Sequence, residues 1–180
     1  LHAWLKEQGL NDDTAQTVAM ASGGDLHRAT DLMNDPQVNE RYDMWQTIPR
    51  RLSRSGYIVA EIAEEIRNRI DDAQIMINQR HVRENEELTE REESFGIRGS
   101  GRKNLETKHK REIRRFRMDE LQFGFSTLTK VLHRGLLEDP SESLMRSIEQ
   151  IRRANGALRR NPNESLLLQA LLISLSADDE

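Results

Sequence analysis

The chain has 180 residues and a net charge of −4 at neutral pH; 32% of its residues are charged, 36% are hydrophobic and only 4% are aromatic. A chain with a negative net charge has no overall attraction for phosphate, so any contact with nucleic acid must come from a local patch. The sequence holds no cysteine, which excludes disulfide bonds and thiolate chemistry and is typical of a reducing cytosol. We therefore expect a cytoplasmic protein of one large or two small domains.

Residues 1–35 have the pattern of three short helices. The first ends at Gly9, a residue type that favours helix C-termini. Asn11 and Asp12 offer N-cap oxygens for the second helix, and Asp25 offers one for the third. The third helix carries apolar residues at helical spacing, which are Leu26, Ala29, Leu32 and Met33.

A fourth helix is predicted from Val38 to about Ser53, and Pro49 is expected to kink or split it. The clearest amphipathic pattern follows. Its apolar residues recur every three or four positions and predict a long helix that continues to about Glu93, although the apolar stripe fades after its last member. The stripe consists of Ile58, Ile62, Ile66, Ile70, Ala73 and Ile77.

An acidic run and a basic run flank a glycine-rich segment, which we predict to be a flexible loop near residues 94–104. One interpretation is a basic arm that touches DNA phosphates. The other is a helical hairpin whose two arms neutralise each other. The acidic run is Glu84, Glu86, Glu87, Glu90, Glu92 and Glu93. The candidate DNA contacts in the basic run are Arg102, Lys103, Lys110, Arg111, Arg114 and Arg115.

The second long helix is predicted to end near Pro140, and two helices close the chain, from Glu142 to about Arg160 and from Glu164 to about Ala177. The last is apolar nearly all round, which is typical of a helix that is buried centrally or lies in an interface. Its core or interface candidates are Leu166, Leu167, Leu168, Leu171 and Leu172. With no strand alternation of useful length, the predicted fold class is all-α.

The sequence offers little chemistry. It lacks the glycine-rich phosphate loop that ends in Gly-Lys-Ser or Gly-Lys-Thr. Glu106 and His109 form half of a di-metal helix motif, but such sites need a second pair and two further glutamates, and this pair sits in a basic run that repels cations. We therefore expect no catalytic residues, no metal and no cofactor.

The segment Ser22-Gly23-Gly24-Asp25-Leu26-His27-Arg28-Ala29 resembles the turn and helix of the lid subdomain in AAA+ clamp-loader subunits. In active members of that family an arginine early in this helix senses the nucleotide. The usual spacing places it where this chain has His27, and Arg28 comes one residue later, about 100° around the helix. The resemblance therefore implies a degenerate sensor at His27 and Arg28 and no ATP sensing.

Further motifs follow in the same order as in the delta-prime subunits of bacterial DNA polymerase III clamp loaders, particularly those of actinobacteria. They are Asn34-Asp35-Pro36, Ile48-Pro49-Arg50-Arg51-Leu52, the basic helix and the closing segment from Asn161 to Leu172. The resemblance implies a C-terminal fragment, with residues 1–35 the end of the lid and residues 36–180 a helical collar. It implies a non-hydrolysing stator in DNA replication that assembles with gamma/tau- and delta-type subunits, and through them with the sliding clamp and primed DNA. The ATPase core is expected upstream.

Overall fold

A computed structural model of the chain describes residues 1–95 and 101–177. Within these two ranges all regular structure is helical, so the predicted all-α class is confirmed there. The helices are α1 (His2–Glu7), α2 (Asp12–Ala21), α3 (Leu26–Met33), α4 (Val38–Arg51), α5 (Gly56–Phe95), α6 (Arg102–Glu138), α7 (Glu142–Leu158) and α8 (Glu164–Ala177). None of these described helices is long and apolar enough to cross a membrane.

The starts of the N-terminal helices follow from local side-chain chemistry. The Asn11 side chain accepts a hydrogen bond from the Thr14 backbone N–H at 2.8 Å, and Asp25 accepts one from Arg28 N–H at 3.1 Å. Each bond satisfies a donor that has no partner inside its helix, which confirms Asn11 and Asp25 as N-caps. Gly9, with φ of 96°, provides the left-handed residue that ends α1.

Helices α4 to α8 share the main hydrophobic core. Helix α6 packs against α4, α5 and α7, and α8 packs against α5 and α7. The predicted stripe of α5 enters this core from Ile62 through Ile70, and α8 contributes Leu168, Leu171 and Leu172. Burial of these aliphatic side chains, at about 1.5–3 kcal/mol each relative to exposure, is the main favourable term for the bundle.

A second, smaller core joins α1 to α3 to the bundle. Leu5, Val18 and Leu32 are buried there together with Val38 at the start of α4 and Phe123 of α6. Tyr42 stacks on Phe123 with ring centroids 6.1 Å apart, and Trp4 packs against the edge of the cluster. The three short helices are therefore packed against α4 and α6 through apolar side chains.

Helices α4 and α6 cross at Gly124 with very little space between them. A methyl group at this position would lie 2.0 Å from Cε2 of Trp45, whose indole is buried and meets Phe125 edge to face. The absence of a side chain at Gly124 therefore lets the Trp45 ring lie directly on the α6 backbone. Of the two effects predicted for Pro49, a kink or a split, the split does not occur. The proline lies in the last turn, so the helix ends two residues later and loses only one hydrogen bond.

Helices α5 and α6 continue beyond the bundle as an antiparallel pair, here named the arm and defined as residues 71–95 and 102–115. The α5 part has 25 residues and so is about 37 Å long at 1.5 Å per residue. Residues 94–95 and 102–104 are helical rather than part of a loop, because the cross-helix pairing between Glu92 and Arg102 extends the hairpin that far. The remainder of the predicted flexible loop, residues 96–100, lies outside the described residues.

Arg117 ties the base of the arm to the last helix. Its guanidinium donates three hydrogen bonds to Glu164 at the start of α8, two from Nε at 2.9 Å and one from Nη2 at 2.7 Å. It also contacts Asp71 and Gln74 of α5. Hydrogen bonds from Arg117 to Glu164, partly opposed by burial, raise the pKa of the guanidinium. One side chain thus fixes three helices where the arm leaves the bundle.

Candidate functional site

Arg28, one of the two residues of the predicted degenerate sensor, is held inside the protein. Its Nε donates to the Ala21 carbonyl at 2.8 Å, and its Nη2 donates to Oε1 of Glu120 on α6 at 2.8 Å. Only 12% of the Arg28 side chain is exposed. Because its donors are already engaged by protein acceptors, Arg28 fixes α3 to α6 instead of reaching into solvent.

Glu120 also binds a second arginine. Its Oε2 accepts a hydrogen bond from Nε of Arg41 at 2.9 Å, and Nη2 of Arg41 donates another to Oδ2 of Asp35 at 2.5 Å. Glu120 and Arg41 are each only 1% exposed. Burial alone disfavours the charge on Arg41, but Glu120 and Asp35 outweigh that cost and raise the pKa of the guanidinium. The four residues form one buried network that links α3, α4, α6 and the turn before α4.

His27 lies apart from this network. Its side chain is 86% exposed and pairs with Asp31 one turn later, at 3.2 Å. The two residues of the predicted degenerate sensor therefore point to different surroundings, as expected for adjacent positions on a helix. The structure does not bring them together as one site.

A cavity of about 360 Å³ lies between the turn at residues 22–25 and α6. Its lining includes Arg28 and Arg115, but both are paired with carboxylates there, Arg115 with Asp25 at 2.9 Å. Burial raises the pKa of Asp119, with Arg28 and Arg115 opposing that effect. Because the arginines that line the cavity are already paired with carboxylates, the cavity does not suit a phosphate group.

The interior of the arm is polar. His81 of α5 and His109 of α6 stack with ring centroids 3.8 Å apart, and both are buried. His81 contacts Oε2 of Glu112 at 2.9 Å, and His109 contacts Oε2 of Glu84 at 3.0 Å. Each imidazole therefore bonds to a carboxylate on the opposite helix, where a coiled coil ordinarily packs apolar side chains.

These contacts predict that the arm weakens in acid. Hydrogen bonds from His109 and Lys108 lower the pKa of Glu84 to about 2, and bonds from His81 and Arg80, opposed by burial, lower the pKa of Glu112. A lowered carboxyl pKa contributes stability above the ordinary pKa, near 4.5, and that contribution is lost as the pH falls towards the lowered value.

We expect Glu84→Gln to speed amide exchange in the arm at pH 6, with the difference from the wild type shrinking towards pH 2.5. Hydrogen exchange read by mass spectrometry on arm peptides measures this. Glu86→Gln is the matched control, because Glu86 is exposed on the same helix. A Glu84 effect that grows as the pH falls would contradict the assignment.

The half-motif of Glu106 and His109 does not assemble. His109 is buried against His81, whereas Glu106 is exposed. In the described parts of the chain no group of three histidine, aspartate or glutamate side chains is placed to hold a metal ion.

The basic run of α6 divides into two sets. Arg102 pairs with Glu92 at 2.8 Å and Lys108 with Glu84 at 2.9 Å, and Arg115 pairs with Asp25 of the N-terminal unit. The hairpin of the second interpretation thus forms, and it neutralises part of the run. Four cations are exposed and have no ion-pair partner among the described residues, namely Lys103, Lys110, Arg111 and Arg114.

Helix α8 divides its leucines between core and surface. Leu168, Leu171 and Leu172 are buried and Leu167 is partly buried, whereas Leu166 is 65% exposed. The exposed residues recur every three or four positions and are all apolar. We name this set the α8 stripe, and it consists of Leu166, Ala170, Ile173 and Ala177.

Arg41 and Glu120 were not among the residues predicted from the sequence. Arg41 lies at helical spacing within the buried series Val38, Trp45 and Ile48, and a lone charge on such a stripe is a signal of a buried ion pair. The partner could not be found from sequence, because 79 residues separate Arg41 from Glu120.

Comparison with known proteins gives no match to a family model, to a curated protein or to a solved structure.

Proposed function

We propose that this chain is the non-catalytic C-terminal part of a bacterial clamp-loader subunit of the delta-prime type, and that it acts in the cytoplasm by assembly with other clamp-loader subunits. The observation that carries the proposal is the α8 stripe. A helix that packs leucines into the core and still presents Leu166 and Ile173 to solvent has a second apolar face available. Partners of the gamma/tau and delta types would cover that face, as the sequence resemblance implies.

The fate of the lid residues supports a role without ATP sensing. Arg28 is committed to Glu120, and His27 faces solvent beside Asp31. Arg28 is thus engaged within the protein, and the Asp31 carboxylate beside His27 disfavours a phosphate there, so we infer that the N-terminal helices act as packing elements. This agrees with a stator, a subunit that holds the assembly without hydrolysing ATP.

We expect Ile173→Asp to abolish co-purification with gamma/tau- and delta-type subunits while the chain remains folded. Ile173 is 56% exposed, so the charge disturbs the surface and not the core. Light scattering gives the mass of the complex, and circular dichroism checks the fold. Leu171→Asp cannot serve, because Leu171 is 4% exposed and its substitution unfolds the bundle.

The matched control is Met145→Asp, which places the same charge on another exposed apolar residue, 54% exposed on α7. Loss of the complex in Ile173→Asp alone supports the proposal. A complex of unchanged mass with Ile173→Asp, or no complex with the wild type, would contradict it.

A further inference from the structure

We propose that the outer face of α6 in the arm binds the phosphate backbone of double-stranded nucleic acid, a function separate from assembly through α8. The surface consists of the four unpaired cations Lys103, Lys110, Arg111 and Arg114, here named the basic stripe.

Helix geometry places these four cations together. At 100° per residue, Lys103, Lys110 and Arg114 fall within about 40° of one another, and Arg111 lies about 60° from Arg114. The stripe is about 16 Å long at 1.5 Å per residue. This length spans two to three phosphates of one strand, which follow one another at several ångströms.

The stripe faces away from the partner helix of the arm. Arg102, His109 and Glu112 make the contacts to α5, and they lie on the opposite side of α6. The acidic residues of the arm are separated from the stripe in the same way, because Glu84 and Glu92 are engaged between the helices. Glu106 is an exposed acid beside the stripe, and Asp31 of α3 lines a cavity together with Arg111, so the four cations outnumber these two acids. The arm therefore presents a locally positive face on a negative chain.

The outer face of α5 carries the opposite charge. Glu86, Glu90 and Glu93 are exposed and lie on one side of that helix, away from α6, with no ion-pair partner in the described ranges. An anionic polymer is repelled from this side and attracted to the other. The arm would thus approach a polyanion in one orientation, with α6 towards it.

Several features favour a duplex over other polyanions. The exposed face from Lys103 to Arg114 has no aromatic side chain on which unpaired bases could stack, as single-strand binders require. It also lacks the large apolar side chains that an interfacial helix inserts into a membrane. The stripe itself consists of lysine and arginine alone, which neutralise phosphate charge whatever the base sequence. Contacts are therefore made to phosphates, and binding is independent of sequence.

The experiment measures fluorescence anisotropy of a labelled 20-base-pair duplex with the whole chain between 50 and 200 mM salt. We expect the logarithm of affinity to fall with the logarithm of salt with a slope of about −1.8 to −2.7, which corresponds to two or three neutralised phosphates. Replacing all four stripe residues by glutamine is expected to reduce affinity at least tenfold and to flatten the slope. Glutamine preserves helix propensity, so the arm remains folded.

The matched control replaces four exposed cations outside the arm by glutamine, namely Arg50, Arg134, Arg159 and Arg160, and changes the net charge by the same amount. We expect it to bind as the wild type does. An equal loss in this control means that binding follows net charge, and it overturns the proposal.

Three further results would also overturn it. They are no binding of the duplex at 50 mM salt, single-stranded DNA bound as tightly as the duplex, and stripe-dependent binding to anionic lipid vesicles that exceeds binding to DNA. Failure of this proposal and failure of the assembly proposal are distinguishable, because the two sets of variants lie on different helices and have different readouts.

Discussion

Glu120→Ala is expected to lower the free energy of unfolding by about 3–5 kcal/mol. The substitution removes the carboxylate that binds both Arg28 and Arg41, and it leaves Arg41, which is 1% exposed, with a buried charge held by Asp35 alone. A buried charge that loses one of its partners is destabilised, because water cannot reach it to replace the lost carboxylate. Urea unfolding followed by circular dichroism measures the loss, and the corresponding fall in melting temperature is about 10 °C for a chain of this size.

Glu106→Ala is the control for this experiment, since Glu106 lies on the same helix but is exposed. We expect it to change the stability by less than about 0.5 kcal/mol. If Glu120→Ala lowered the free energy of unfolding by no more than the control does, the network would not be what holds the N-terminal helices against α6.

Gly124→Ala is expected to destabilise the bundle by about 3 kcal/mol or more, the upper end of what overpacking costs. The added methyl would overlap the Trp45 ring, with Cε2, Cζ2 and Cδ2 at 2.0, 2.2 and 2.5 Å. The ring is buried and packed against Phe125, so it cannot turn aside without disturbing the core. Thermal unfolding and near-ultraviolet circular dichroism of the tryptophan report the effect.

Gly156→Ala is the control, because no atom lies within 4 Å of the added methyl and the residue is within α7. Alanine there is expected to stabilise the protein by about 0.5–1 kcal/mol. Trp45→Leu provides a second check. If the ring is the obstacle, the cost of Gly124→Ala is smaller in that background, and an unchanged cost would place the strain elsewhere.

The sequence predicted the features that depend on neighbouring residues. The caps at Asn11 and Asp25 and the buried series of α5 are local, so each could be inferred from a window of a few residues. Of the two effects predicted for Pro49, a kink or a split of α4, the split does not occur, because Pro49 lies in the last turn of the helix.

The contacts between distant residues could not be inferred in this way. The close approach of Trp45 to Gly124, the stacking of His81 on His109 and the division of α8 into a buried and an exposed side all depend on how the helices are arranged in space. The basic run illustrates the limit. Its composition suggested binding to nucleic acid. Only the ion pairs of Arg102 and Arg115 in the structure show which of its cations remain free to bind phosphate.

The polar interior of the arm also bears on where the protein opens first. Stability within a protein is unequal, and segments with few buried apolar contacts open with a smaller free energy than the core. The buried side chains of the arm are polar ones such as His81 and His109, and Leu88 and Leu105 are only partly buried there, whereas the bundle below Arg117 has a core of buried aliphatic side chains. We therefore expect the arm to open before the bundle, down to the Arg117 contacts. A ligand on its outer face would close it, because binding stabilises the ordered form by mass action.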